Sequence, residues 1–97
     1  MTDKKEYYLY ILLCDRKILY TGIAIDPKIR LEQHQQGPPY GAKFTRRFKQ
    51  LEIVYTVKVG SRSTAQSIEI KFKRLSRETK LKIIEQQPTL VQLKLSL

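Results

Sequence analysis

The sequence predicts an α+β fold with three strands and about three helices in the order β-β-α-β-α-α, the first two strands paired as a hairpin. Three observations carry that expectation. Residues 7–13 are an almost unbroken apolar and aromatic run, which suits a strand covered on both faces in the middle of a sheet. Residues 51–59 alternate apolar and polar positions, the period of a strand with one buried face. Between and after these runs lie segments with helix start and stop signals.

Residues 18–22 are the hairpin partner of the first strand. The turn around Asp15 and Arg16 contains no glycine, so its type stays open, but loop length decides the register. A three-residue loop of 15–17 sets Leu12 against Tyr20 and Tyr10 against Gly22, with Tyr10 and Tyr20 on one face as diagonal neighbours. A two-residue loop sets them on opposite faces. Asp26-Pro27 opens a helix over 27–36, an Asx N-cap followed by proline at the first helical position, and Gly37-Pro38-Pro39 stops it.

Residues 37–49, GPPYGAKFTRRFK, hold four basic residues, three aromatics and no acid, which is loop chemistry with a bias. In the third strand Leu51, Ile53, Tyr55, Val57 and Val59 form the expected buried face. Gly60 ends it, and Ser63 with Gln66 makes a capping-box pattern for a helix over 63–75 whose inner stripe is Ala65, Ile68, Phe72 and Leu75. Ser76 breaks and recaps the chain for a helix over 77–86, with Leu81 and Ile84 inward and Pro88 beyond its end. The tail TLVQLKLSL fits a short helix or an extended segment. No repeat or linker interrupts the pattern, so residues 1–97 read as a single domain with a core at about 7–86 and a tail at 87–97.

Nineteen Lys and Arg against nine Asp and Glu give a formal net charge of +10. A field of that sign gathers polyanions, which makes nucleic acid the first partner to consider, with a merely solubilising surface charge as the alternative. The single cysteine, Cys14, cannot staple a domain and points to a reducing, cytoplasmic setting; within its apolar run it reads as a core thiol. The first apolar run is tyrosine-rich and lacks a small-residue cleavage site, unlike a signal peptide. No segment approaches the roughly 20 apolar residues of a membrane span. A monomer without a membrane partner is expected.

Glu69 lies beside the apolar stripe of the second helix, where an ionised carboxylate is costly unless it is paired with a cation. An ion pair with one of the many Lys or Arg residues satisfies that demand, and so does ligation of a hard metal whose other positions are filled by water and substrate phosphate. Arg30 and His34, four apart, share one face of the first helix just after the glycine that ends the second strand. A guanidinium and an imidazole presented together suit a phosphodiester, although each also fits a solvated helix surface. Tyr10 and Tyr20 bring hydroxyls near the same place, or are core aromatics needing only a hydrogen-bond partner.

Tyr8-Leu9-Tyr10, followed after a hairpin by Tyr20-Thr21-Gly22, resembles the paired tripeptides of the GIY-YIG nuclease superfamily. Arg30, His34 and Glu69 fall at positions that match its later motifs. The likeness is greatest to the small single-domain bacterial members, in which the second tripeptide sits within LYTGI, and the phrase GAKFTRR at 41–47 is similar to theirs. It spans about residues 7–80, and Tyr8 stands where the first tripeptide is named for glycine.

This resemblance implies a three-stranded antiparallel sheet flanked by helices, and hydrolysis of a nucleic-acid phosphodiester with one divalent ion, Mg²⁺ or Mn²⁺, weakly bound without substrate. It implies that Glu69 holds the metal and Arg30 stabilises charge developing on the phosphate. Tyr10 is the candidate base beside the attacking water, with Tyr20 and His34 positioning phosphate or proton. A phenol with a pKa near 10 is a poor base at neutral pH, so Tyr10 serves only if nearby cations lower that value. Lys43, Thr45, Arg46, Arg47 and Lys49 are the nucleic-acid-binding candidates, with Tyr40, Phe44 or Phe48 able to stack on an unpaired base or to anchor the loop to the core. DNA is favoured over RNA. The alternatives are a binding module that keeps the fold without turnover, and an accessory protein that uses the charge alone.

Overall fold

The computed structural model describes residues 5–36 and 48–97. Strand β1 (Tyr7–Cys14) is the centre of a three-stranded antiparallel sheet, with β2 (Ile18–Ala24) on one side and β3 (Leu51–Gly60) on the other. Its central place accounts for its composition. Leu9 and Ile11 belong to one buried cluster and Tyr10, Leu12 and Cys14 to another, so both faces of the strand are covered.

The hairpin has the register of the three-residue loop, Tyr10 opposite Gly22 and Leu12 opposite Tyr20. Asp15 and Arg16 adopt φ of 49° and 61° in place of glycine. Asp15 offsets that strain by hydrogen bonds to a distant stretch of chain: its Oδ1 accepts the backbone N–H of Lys49 at 2.9 Å and of Gln50 at 2.7 Å, and its own N–H donates to the Gln50 carbonyl at 2.8 Å. The turn is thereby pinned to the chain entering β3.

Helix α1 (Pro27–Gln36) begins where Asp26-Pro27 indicates. Asp26 Oδ1 accepts the N–H of Lys28 at 3.0 Å and of Ile29 at 3.3 Å. The stop at Gly37-Pro38-Pro39 lies outside the described residues. Leu31 joins the cluster of Tyr10, Leu12 and Cys14, so α1 covers that face of the sheet. The opposite face receives α2 (Arg62–Lys73), α3 (Arg77–Gln86) and α4 (Leu90–Ser96) through Ala65, Ile68, Phe72, Ile83 and Leu93.

Three details differ from the sequence expectation, and a fourth that it left open is decided. The pairing of β3 with β1 slips, with Ile11 opposite Tyr55 but Leu12 opposite Ile53, and this bulge at Val54 reverses the faces of the strand. Leu51 and Ile53 pack with Leu12 and Cys14, whereas Tyr55, Val57 and Val59 pack with Leu9 and Ile11. A neighbour of a strand that is apolar on both sides is needed on both sides.

The N-cap of α2 is Ser61, not Ser63. Gly60 at φ 110° breaks the strand, and Ser61 follows in extended geometry with Oγ accepting the Thr64 N–H at 3.2 Å. Ala65, Ile68 and Phe72 are the buried stripe as expected.

On α3, Ile83 is buried and Leu81 is exposed. The reason is α4, which supplies Leu93 to the same cluster as Ile83 and so selects the inward side of α3. The tail, open in the sequence, is a helix with a capping box: Thr89 Oγ1 accepts the Gln92 N–H at 3.3 Å, and Gln92 Oε1 accepts the Thr89 N–H at 3.0 Å. Gln87, left-handed at φ 51°, donates from Nε2 to the Val54 carbonyl at 2.8 Å, and the Tyr55 hydroxyl donates to the Pro88 carbonyl at 2.7 Å. The corner between α3 and α4 is thus tied to the bulge in β3. Among the described residues, no helix is long and apolar enough to cross a membrane.

Candidate active site

Tyr10 projects from the middle of β1 directly opposite Gly22. A Cβ placed on Gly22 would lie 2.5 Å from the Tyr10 hydroxyl oxygen and 2.6 Å from Cζ, so the phenol runs through the space a side chain there would fill. Gly22 is glycine because of this crossing, and its backbone is not left-handed. The ring is 1% exposed, and its hydroxyl pairs with His34 Nε2 at 3.0 Å. Tyr20 enters on the same face from β2. Ring centroids are 6.5 Å apart for Tyr10 and Tyr20, 6.2 Å for Tyr10 and His34 and 5.4 Å for Tyr20 and His34, the last two edge-on.

Arg30 lies one turn before His34 on α1. Its Nη1 donates to Gln33 Oε1 at 2.9 Å, and its positive charge bears on Tyr10. Glu69 comes from α2, its side chain 21% exposed, with Lys73 Nζ one turn later at 3.5 Å. The ion pair that the sequence allows for Glu69 is therefore formed, with Lys73. The charges of Arg30 and Glu69 act on both phenols in opposite senses, and Arg30 acts on His34 as well.

Burial governs the protonation states. It raises Tyr10 well above the ordinary phenol range, with a further push from Tyr20, and Arg30 offsets this only in part. Tyr20 is raised by burial as well, against the pull of Arg30. The arrangement does not provide the lowered Tyr10 that a phenolate base at neutral pH requires, because desolvation outweighs the one guanidinium. His34 is pushed down to about 4 by burial and then by Arg30. It is neutral at pH 7, and with its proton on Nδ1 it accepts the Tyr10 hydroxyl at Nε2. Cys14 is pushed up to about 11, first by burial and then by Asp15, so its thiol is inert packing.

His34 sets a stability window. The native ring stays neutral down to about pH 4, while the unfolded ring takes a proton near pH 6.5. In between, the unfolded state binds more protons, so stability falls as pH drops. The expected loss from pH 7 to pH 4 through this residue is roughly 2–3 kcal/mol. Urea midpoints against pH check it: His34→Gln should flatten the acid limb, and an equally steep limb in the variant contradicts the assignment.

Of the nucleic-acid candidates, Lys43, Thr45, Arg46 and Arg47 lie outside the described residues, as do Tyr40 and Phe44. Lys49 stands at the hairpin end of the sheet, lining a recess with Arg16 and Gln35, apart from the tyrosines. Phe48 packs onto the cluster of Tyr10, Leu12 and Cys14 and so anchors the loop. Neither Lys73 nor Gln33 stands among the residues the sequence singled out. The signals were the spacing of four from Glu69 to Lys73 and of three from Arg30 to Gln33.

Among the described residues no group of three His, Cys, Asp or Glu side chains could hold a metal. Glu69 offers one part-exposed carboxylate, a hard-oxygen donor that fits only a cation keeping its other ligands as water or phosphate.

Residues 6–82 match the family model of the GIY-YIG catalytic domain. The chain is 40% identical over 81 residues to a UPF0213 protein of Syntrophus aciditrophicus, covering 84% of this chain and 92% of that one. A UPF0213 protein of Yersinia pestis is 41% identical over 85 residues, at 88% and 87% coverage. Two solution NMR structures share the fold. The protein EF2693 from E. faecalis gives a TM-score of 0.58 at 36% identity, over 89% of this chain and 90% of that chain. The UPF0213 protein BH0048 from Bacillus halodurans gives 0.54 at 29%, over 92% and 93%.

Proposed function

The chain belongs to the family of the GIY-YIG catalytic domain, and from that premise we propose that it hydrolyses nucleic-acid phosphodiesters, DNA in preference to RNA, with one Mg²⁺ or Mn²⁺ held by Glu69. Nucleases of this family are generally dependent on a divalent metal. The observation that carries the reading is the buried hydrogen bond between Tyr10 and His34, set within the opposed fields of Arg30 and Glu69. A core tyrosine needs a partner, but a partner that is itself a proton acceptor beside a guanidinium and a carboxylate is the equipment of proton transfer at a phosphate.

A divalent cation at Glu69 supplies Lewis-acid polarisation of a phosphoryl oxygen and positive charge near the phenols. Tyr10, raised by burial, rests protonated with its hydroxyl hydrogen-bonded to His34 Nε2 3.0 Å away; it would act as a phenolate only with positive charge beside it, and its proton would then pass to solvent, because His34, pushed down to about 4 by burial and Arg30, is too weak a base to keep it. The phenolate is the group that takes the proton of an attacking water. Arg30, steadied by Gln33, clamps the phosphate oxygens on which charge develops. Tyr20 packs edge-on against His34 and holds the imidazole in place.

The test is incubation of the protein with end-labelled single-stranded DNA, duplex DNA and RNA, with Mg²⁺, Mn²⁺ or a chelator. Products are expected only with a divalent ion and faster from DNA. Salt-dependent binding of all three without any product would overturn the nuclease reading in favour of a binding module, which needs the basic face but not Glu69.

A further inference from the structure

A cleft of about 340 Å³ opens beside Tyr20, lined by Leu19, Tyr20, Thr21, Lys73 and Lys80. Its lining carries two ammonium groups, two hydroxyls and no carboxylate, the chemistry of an anion site. Lys80 is steadied there, its Nζ donating to the Lys73 carbonyl at 3.3 Å and lying 5.9 Å from the centroid of the Phe72 ring. Lys73 is the residue shared with Glu69. Its ammonium stands 3.5 Å from the Glu69 carboxylate with the side chain 54% exposed, a separation and exposure at which an ion pair is weak.

We propose that this cleft binds a backbone phosphate next to the scissile one, and that Lys73 is handed from Glu69 to that phosphate when a divalent cation takes the carboxylate. The inference rests on Glu69 being the metal ligand. An ammonium and a divalent cation compete for the same carboxylate oxygens, so Lys73 acts as the resident counter-ion of an empty metal site and as a phosphate contact of a filled one. Tyr20 borders both places, which sets the second phosphate on the same strand. Lys73 is a positioning residue that makes cation and nucleic acid favour each other, since each draws the lysine away from, or toward, the same exchange.

Mn²⁺ binding to the full chain, followed by the electron paramagnetic resonance signal of free Mn²⁺ without nucleic acid, separates this exchange from the reading beneath it. Lys73→Met should tighten Mn²⁺ about two- to fivefold, the scale of a weak exposed ion pair. Lys80→Met removes the same charge from the same cleft without touching Glu69 and should change Mn²⁺ affinity much less. With a divalent ion present, each variant should also lower the salt slope of single-stranded DNA binding by about 0.7, one phosphate contact, while Lys82→Met leaves it unchanged. Lys73→Met with wild-type Mn²⁺ affinity, or with no more effect than Lys80→Met, overturns the exchange. An unchanged salt slope in both cleft variants overturns the subsite. Wild-type Mn²⁺ affinity in Glu69→Gln overturns the metal ligand itself, and the exchange with it.

Discussion

Replacing Gly22 with alanine is expected to damage fold and function together, because the new methyl would occupy space now held by the end of the Tyr10 phenol. At 2.5 and 2.6 Å from the hydroxyl oxygen and Cζ, the contact is far inside van der Waals distance. Tyr10 has nowhere cheap to go. It is 1% exposed, its hydroxyl is bonded to His34, and Leu12 and Cys14 share its cluster. Overpacking of this kind costs about 1–3 kcal/mol. The displaced phenol loses His34, and a shift of about 1 Å at a reacting group can cost on the order of a hundredfold in rate. Urea denaturation and cleavage should therefore fall in the same variant. Wild-type stability in Gly22→Ala would show that the crossing does not constrain the sheet.

Glu69→Gln is expected to do the reverse and separate function from fold. The carboxylate is one-fifth exposed and its partner Lys73 is half-exposed, so the pair contributes at most about 1 kcal/mol and the variant should unfold near the wild-type midpoint. Its cleavage should drop at least about a hundredfold, equivalent to about 2.7 kcal/mol of transition-state stabilisation. DNA affinity should be retained or slightly raised, since a negative charge has gone from a basic face. Loss of folding would make Glu69 a structural counter-ion, and unimpaired cleavage would remove it from the chemistry.

How much of this was legible in the sequence depended on whether a signal was local. The start of α1 follows from Asp26-Pro27, within a few residues of the feature it defines, and the hairpin register was narrowed to two loop lengths, of which the structure has the three-residue one. The five candidate residues were named from a resemblance in their tripeptides together with chemistry-bearing residues in order, and the structure sets Tyr10, Tyr20 and His34 among them against one another. What depends on a distant partner was not legible. The bulge at Val54 exists because β1 is apolar on both faces. The inward side of α3 depends on Leu93, ten residues after Ile83 and on a helix the sequence left open. The choice of Ser61 over Ser63 turned on Gly60, whose positive φ ends the strand abruptly.

Protonation was the hardest to read. Basic residues around Tyr10 suggest a lowered phenol, but desolvation by α1 and the sheet raises it, and burial is not written in residue types. The consequence is a site at rest, with a protonated phenol, a neutral imidazole and a lysine on the carboxylate. Under the proposed function, positive charge from a cation at Glu69 is what would move that resting state.

The most direct measurement is a double-mutant cycle on single-turnover DNA cleavage with wild type, Tyr10→Phe, Glu69→Gln and the combined variant. If the phenol and the carboxylate serve one constellation, each single change removes most of the rate and the double variant is hardly slower than the worse single. Losses that multiply independently, or a Tyr10→Phe protein that cleaves as fast as wild type, would contradict a shared site.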